Sequence, residues 1–279
     1  MHFFQPNRVR HGEYAKEVMM SLRKIGIQFL IGGVLSAFSA SGAMAIPATT
    51  FTVNPGAIGA CPTASPCSFD AMFKGIQYNA TAALGGPGFT ETGSASISNF
   101  AFPNESTLLL PGVTGLGVNY TLREDFSAAG TFSGTLNNGT VTFTSFNFTL
   151  IAHPLIGPNA GLDLTIGSGT LVPGQGGATT FLGGNPPGTP NLGSFDVIDN
   201  FTKSGSFAGF LGGTAFGGGN TALVEASGNN NTLTVTGATT IALGGGGDQR
   251  FAPVPEPASL LLMGSGLAGL GFWRSRRKA

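Results

Sequence analysis

Between residues 46 and 254, large apolar side chains recur at alternate positions, separated by Gly, Thr, Ser and Asn. A period of two is the mark of a strand with one buried face, so the alternation commits this region to β-structure. Leu116, Val118, Tyr120 and Leu122, interleaved with Gly117, Asn119 and Thr121, predict one strand. Val141 and Phe143, followed by Phe146, Phe148 and Leu150, predict the next, and the change of phase at Thr144-Ser145 predicts a bulge. Asn138-Gly139 between them supplies the positive φ angles of a tight hairpin turn. Further strands are expected at residues 97–102, 195–201 and 233–243, whereas residues 69–78 allow at most one short helix. The 23 Phe argue against a disordered surface polymer, because disordered chains are poor in aromatics. The expected fold class is all-β: an antiparallel β sandwich or barrel-like passenger with Gly-rich loops, over residues 46–243.

Charge is scarce and unevenly placed. Thirteen basic and thirteen acidic side chains cancel in a chain of 279 residues that is only 9% charged. Residues 46–253 hold four basic against ten acidic side chains, and the remaining basic ones sit toward the two ends. Asymmetry of this kind points to addressing segments and not to fold. An acidic middle also excludes nucleic acid as a partner, since it repels phosphate.

At the N-terminal side, Arg23 and Lys24 precede an apolar run over residues 25–38, and small residues follow up to Ala43-Met44-Ala45. A basic region, a short apolar region and a small-x-small site predict a signal peptide over residues 1–45, cut after Ala45 by signal peptidase. The region before it is long and polar, which makes Met19 or Met20 an alternative start. At the other side, Pro255-Glu256-Pro257 precedes an apolar run over residues 260–273, and Arg274, Arg276, Arg277 and Lys278 follow. The prolines delay any helix until they are passed. The basic cluster would hold that end in the cytoplasm, with residues 260–273 as a short transmembrane helix crossing the inner membrane transiently.

This tail, residues 254–279, resembles the PEP-CTERM sorting signal of Gram-negative bacteria, and Pro255, Glu256 and Pro257 stand where that motif has its name-giving triplet. The resemblance implies recognition by exosortase, a membrane protease, cleavage near residues 255–257, and delivery to the cell surface or extracellular matrix. Gly264, Gly266 and Gly269 spell a dinucleotide-binding pattern inside the tail, yet no strand precedes them, so no nucleotide site is expected. Residues 244–253, with Gly244 to Gly247 at their head, read as a flexible linker.

Within the passenger, residues 125–134 align with 200–209 without gaps, pairing Phe126 with Phe201, and a shorter echo begins at Phe89. Equivalent strands in a duplicated unit would explain the repeat. The chemical inventory is thin. His153 is the one histidine of this region and reads as a surface residue at a strand end. Cys61 and Cys67, in a chain bound for an oxidising compartment, are expected to form a disulfide. The acids are scattered, and strand-edge charge explains most of them. Glu124, Asp125 and Asp199 fall in the two repeat copies, which leaves a paired-carboxylate site open. No cofactor, metal site or catalytic residue is expected.

Two readings of function follow. The first is a non-enzymatic, exported surface or matrix protein with a structural role in flocculation, biofilm or exopolysaccharide association; its Phe-rich strands and Gly-Thr-Ser turns resemble flocculation-associated PEP-CTERM proteins. The second is a secreted carbohydrate-binding or carbohydrate-active β-sandwich protein, which the lack of any Trp in residues 46–254 disfavours.

Overall fold

The computed structural model describes residues 49–61, 67–85, 87–102, 107–135, 138–173, 175, 178–182, 192–235, 240–254 and 264–267. The expected signal segment with Ala43 and Ala45 lies outside these residues. So do Pro255, Glu256, Pro257, Arg274, Arg276, Arg277 and Lys278.

Twelve strands follow one another: β1 (Phe51–Val53), β2 (Phe69–Gly85), β3 (Gly88–Ala101), β4 (Leu108–Leu109), β5 (Tyr120–Thr135), β6 (Asn138–Pro154), β7 (Leu164–Leu171), β8 (Ala178–Leu182), β9 (Leu192–Lys203), β10 (Leu211–Gly212), β11 (Thr221–Val235) and β12 (Thr240–Ala252). Antiparallel pairing runs from β2 through β3, β5, β6, β7, β9, β11 and β12, and β12 pairs back onto β2. The result is a closed eight-stave barrel in which neighbours in sequence are neighbours in space. Closure removes the open edges that a sandwich would have to protect. One stave is shared: β7 lies between β6 and β9 over part of their length, and β8 fills the same gap further along.

The alternation decides which face turns inward. Tyr120, Leu122 and Ala128 on β5, and Phe143, Phe148 and Leu150 on β6, are buried, while Thr121, Ser127, Thr142 and Asn147 between them are exposed. Thr90, Thr92, Ser94 and Ser96 give β3 the same polar exterior. A barrel in hydrocarbon has the opposite arrangement, so this one presents its outer wall to water. Among the described residues no helix is long and apolar enough to cross a membrane.

One end is closed by a cap. β1 pairs with β10 and with the start of β2, and 3-10 turns at Pro55–Ile58, Ala208–Phe210 and Thr214–Phe216 pack beside them. The Phe51 ring of the cap lies 4.8 Å from both Phe73, edge to face, and Phe251, tilted, of the staves, and Tyr120 meets Phe210 edge-on at 5.8 Å. Cys61 and Cys67 are joined as a disulfide beside the first 3-10 turn. Ile58 and Ala60 on its N-terminal side are fully buried, so the bridge ties a segment that already belongs to the core.

Several local expectations need correction. The strand expected from Leu116 begins only at Tyr120; Gly115 and Gly117, both at φ 75°, turn the chain between a one-turn helix α1 (Pro111–Thr114) and β5. Residues 69–78 are strand, not helix: Ala71 with Phe73, and Ile76 with Tyr78, alternate into the core on either side of a break at Gly75, while Met72 is buried in the opposite phase outside that cluster. Residues 233–243 span the β11–β12 connection in place of a single strand. The β5–β6 hairpin exists, but Thr135 pairs with Asn138, so Asn138-Gly139 belong to the ladder and not to the turn. The expected bulge is present: Ala129 faces Ser145 and Gly130 faces Phe143, which leaves Thr144 as the extra residue.

The Gly-rich linker is also a strand. Residues 244–247 lie within β12 and pair with β11 on one side and β2 on the other. Their small size serves packing: a Cβ on Gly245 would stand 2.7 Å from the Tyr78 ring and would meet the Asn229 carbonyl oxygen. The repeat does not mark a duplicated unit. β5 and β9 are three steps apart around an antiparallel ring and so run in opposite directions, and after Lys203 the second copy leaves the wall altogether.

Candidate functional site

The inward series on three staves contains an acid where a hydrophobe is expected. On β5 it reads Tyr120, Leu122, Glu124, Phe126; on β9, Val197, Asp199, Phe201; on β3, Phe89, Glu91, Gly93, Ala95. Because the side-chain period of a strand is two, these carboxyls have no choice but to enter the lumen. Glu124 is 4% exposed, Glu91 8% and Asp199 not at all. Gln249 of β12, 3% exposed, joins them from across the barrel and donates its Nε2–H to Glu124 Oε2 at 2.7 Å.

Burial controls the chemistry of this belt. Desolvation pushes the Glu124 carboxyl up to about 8, and the hydrogen bond from Gln249 pulls against it. Asp199 rises to about 8, first by burial and then by the neighbouring charge of Glu124. Glu91 rises to about 7 by burial alone, and Tyr78 rises as well, through burial and the nearby Glu91. Near neutrality these acids therefore hold protons that exposed carboxylates would have lost. Both Asp199 oxygens, Glu124 Oε1, Gln249 Oε1 and Tyr78 Oη find no hydrogen-bond partner among the described residues. Beside them is a cavity of about 60 Å³, bounded by Tyr78, Glu91, Glu124, Phe126, Phe195 and Gln249 among others. Phe89, Phe143 and Phe146 add aromatic faces to its wall, and Ile76, Ala95 and Ala226 add aliphatic ones.

Four of the outer acids behave differently. Asp125 and Asp163 bind Arg123 at 3.0 and 3.1 Å, Asp248 binds Lys74 at 2.6 Å, and Asp70 accepts from Thr52 at 2.7 Å. His153 sits near the end of β6 with Nδ1 at 2.8 Å from Asp163, on the outside of the wall. Glu124 and Asp125 are thus separated by the barrel wall, and the carboxylate pair suggested by the repeat is Glu124 with Asp199 alone. Strand-edge charge does not explain these two or Glu91, since the lumen surrounds them. Gln249 and Tyr78 carry no sequence signal as site residues. Glu91, Glu124 and Asp199 do carry one: each is an acid in the apolar phase of an alternating strand. Among the described residues no group of three or more metal-ligating side chains could hold a metal ion.

Fold and site together define a water-facing, up-and-down β-barrel with a protonatable polar belt in an aromatic lumen. Residues 253–278 match the PEP-CTERM protein-sorting motif. The chain therefore carries an exosortase sorting signal and is an exported protein. Comparison with curated proteins and with solved structures found no match.

Proposed function

We propose that the protein is a non-enzymatic component of the cell surface or extracellular matrix of a Gram-negative bacterium, structural in flocculation, biofilm or exopolysaccharide association. The observation that carries this reading is the junction at Ala252: β12 ends there and the sorting motif begins at residue 253, so the signal is attached directly to a closed barrel. Signal peptidase acts at Ala45 and exosortase near Pro255 to Pro257, leaving the barrel as the delivered product. Its closed ring and polar wall suit a crowded matrix, because the eight staves all pair on both sides and the unpaired edges are confined to the two-residue strands β4 and β10. The carbohydrate-binding alternative needs exposed aromatic platforms. Of the exposed large hydrophobics among the described residues, Phe102 is the one aromatic, and the other rings turn inward.

Mass spectrometry of the C-terminal peptide of the exported protein tests the sorting step. A terminus near residues 255–257 is expected; a peptide that retains Arg276 and Arg277 overturns it. Deletion of the gene tests the role: floc formation and surface composition should change, and unchanged flocs would remove the matrix reading while leaving the sorting result intact.

A further inference from the structure

The lumen cavity has a wall that its own side chains leave chemically incomplete. Tyr78, Glu124 and Gln249 all border it, each is more than nine-tenths buried, and each has one polar atom without a partner: Tyr78 Oη, Glu124 Oε1 and Gln249 Oε1. Native proteins rarely bury such atoms unsatisfied. With Glu124 ionised, two of the three accept only, and the third accepts as well as donates, so what the ionised site lacks is a donor. The amide donor at this level is already committed, since Gln249 Nε2 serves Glu124 Oε2. Among the described residues, basic side chains do not supply it either. Lys74 and Arg123 are engaged with acids on the outer wall, and Lys203 lies over the Phe216 ring at the cap. From the other strands facing the cavity come further acids, rings and one hydroxyl: Glu91 of β3, Asp248 of β12, which Lys74 holds, Ser227 of β11, and Phe126, Phe143, Phe146 and Phe195.

A primary ammonium group meets each of these demands. It has three N–H donors for three acceptors, a positive charge for a carboxylate, and attraction to aromatic faces. A hard divalent cation would want six or more oxygen ligands, which an aromatic wall does not offer. Water would fill the hydrogen bonds but gains nothing from the rings. A cavity of about 60 Å³ has room for roughly four or five water-sized groups, the size of a short alkylamine.

We propose that the barrel lumen binds a small primary amine as its ammonium ion, with the charged head on Tyr78, Glu124 and Gln249 and the alkyl tail against Phe126 and Phe195. The head binds ionised Glu124, so a Glu124 that is protonated in the empty barrel gives its proton to solvent on binding. Asp199 on β9 and Glu91 on β3 add negative potential whenever they are ionised. This site does not depend on where the barrel is delivered.

The test is titration of the exported protein with n-butylammonium, and separately with n-butanol, which has a similar shape and no charge, followed by calorimetry and proton NMR at pH 8. Butylammonium should bind saturably at one site, with its methyl signal shifted upfield by the surrounding rings, and butanol should bind at least about tenfold more weakly. Glu124→Gln should weaken butylammonium by a similar factor and leave butanol unchanged. Equal binding of the two ligands overturns the proposal in favour of a plain apolar cavity. Absence of saturable butylammonium binding overturns it in favour of buried water. The preference of the unsubstituted protein for the ammonium over the alcohol decides the matter even if the variant does not fold.

Discussion

Two residues apart on β5, Leu122 and Glu124 face the same lumen and meet opposite surroundings. Leu122 points into the capped end, where Phe51, Phe73, Phe201, Phe210 and Phe251 are all essentially inaccessible to solvent and ring packs against ring. Glu124 points into the belt, where carboxyls and an amide leave several buried atoms without partners and a cavity remains. The cap is filled because the chain returns to it twice, through β1 and through the 208–216 segment. Among the described residues no such segment enters the belt. Stability is therefore concentrated at one end of the barrel, and the other level is available for chemistry at a cost in hydrogen bonds.

The sharpest way to break this contrast is Phe251→Ala. It removes the ring that touches Phe51, Phe73, Phe201 and Phe216 and should cost about 3–5 kcal/mol in urea unfolding. Phe126→Ala in the half-buried belt should cost clearly less, and equal losses would erase the distinction. Next is pH. A carboxyl with a raised folded pKa keeps its proton in the barrel over a range where the unfolded chain has lost it. Stability should then be full near pH 4 and fall as pH rises through about 7 for Glu91 and about 8 for Glu124 and Asp199. A loss on the order of a few kcal/mol between pH 5 and 9 is expected, and Glu124→Gln should reduce it, with the contributions of Glu91 and Asp199 remaining. Stability that rises over this interval would mean that the belt acids are ionised and paired.

Loss of the Cys61–Cys67 bridge through Cys67→Ser should cost about 2 kcal/mol, felt as easier unfolding of the cap and not as a change in the pH slope. The smallest effect belongs to the outer wall. Arg123→Ala breaks half-exposed pairs with Asp125 and Asp163 and should change unfolding by less than about 1 kcal/mol.

Much of the wall was legible because it obeys a local rule. The alternation through Val141 and Phe148, and the phase slip at Thr144, are properties of one strand and need no knowledge of its neighbours. The cap was not legible, since Phe210 and Phe216 lie in Gly-rich irregular segments where periodicity says nothing. Gly244 to Gly247 misled for a related reason: composition suggests a linker, while the requirement for bare backbone comes from the Tyr78 ring on another strand. The belt acids were legible in principle. Reading them required treating Glu91, Glu124 and Asp199 as members of the inward series and not as charges to be placed at edges.

The position of β12 has a consequence for when this protein can fold. The stave that closes the ring is the last one in the chain, and it must pair with β2 at the ring's beginning. Until Ala252 has been delivered, the earlier staves form an open sheet with two unpaired edges and an uncovered Phe-lined face. Such a species invites aggregation, and the closing contact spans nearly the whole sequence of the barrel, which makes it slow. Ring closure therefore waits for the stave next to the sorting motif, so a finished barrel requires every residue of the passenger up to Ala252.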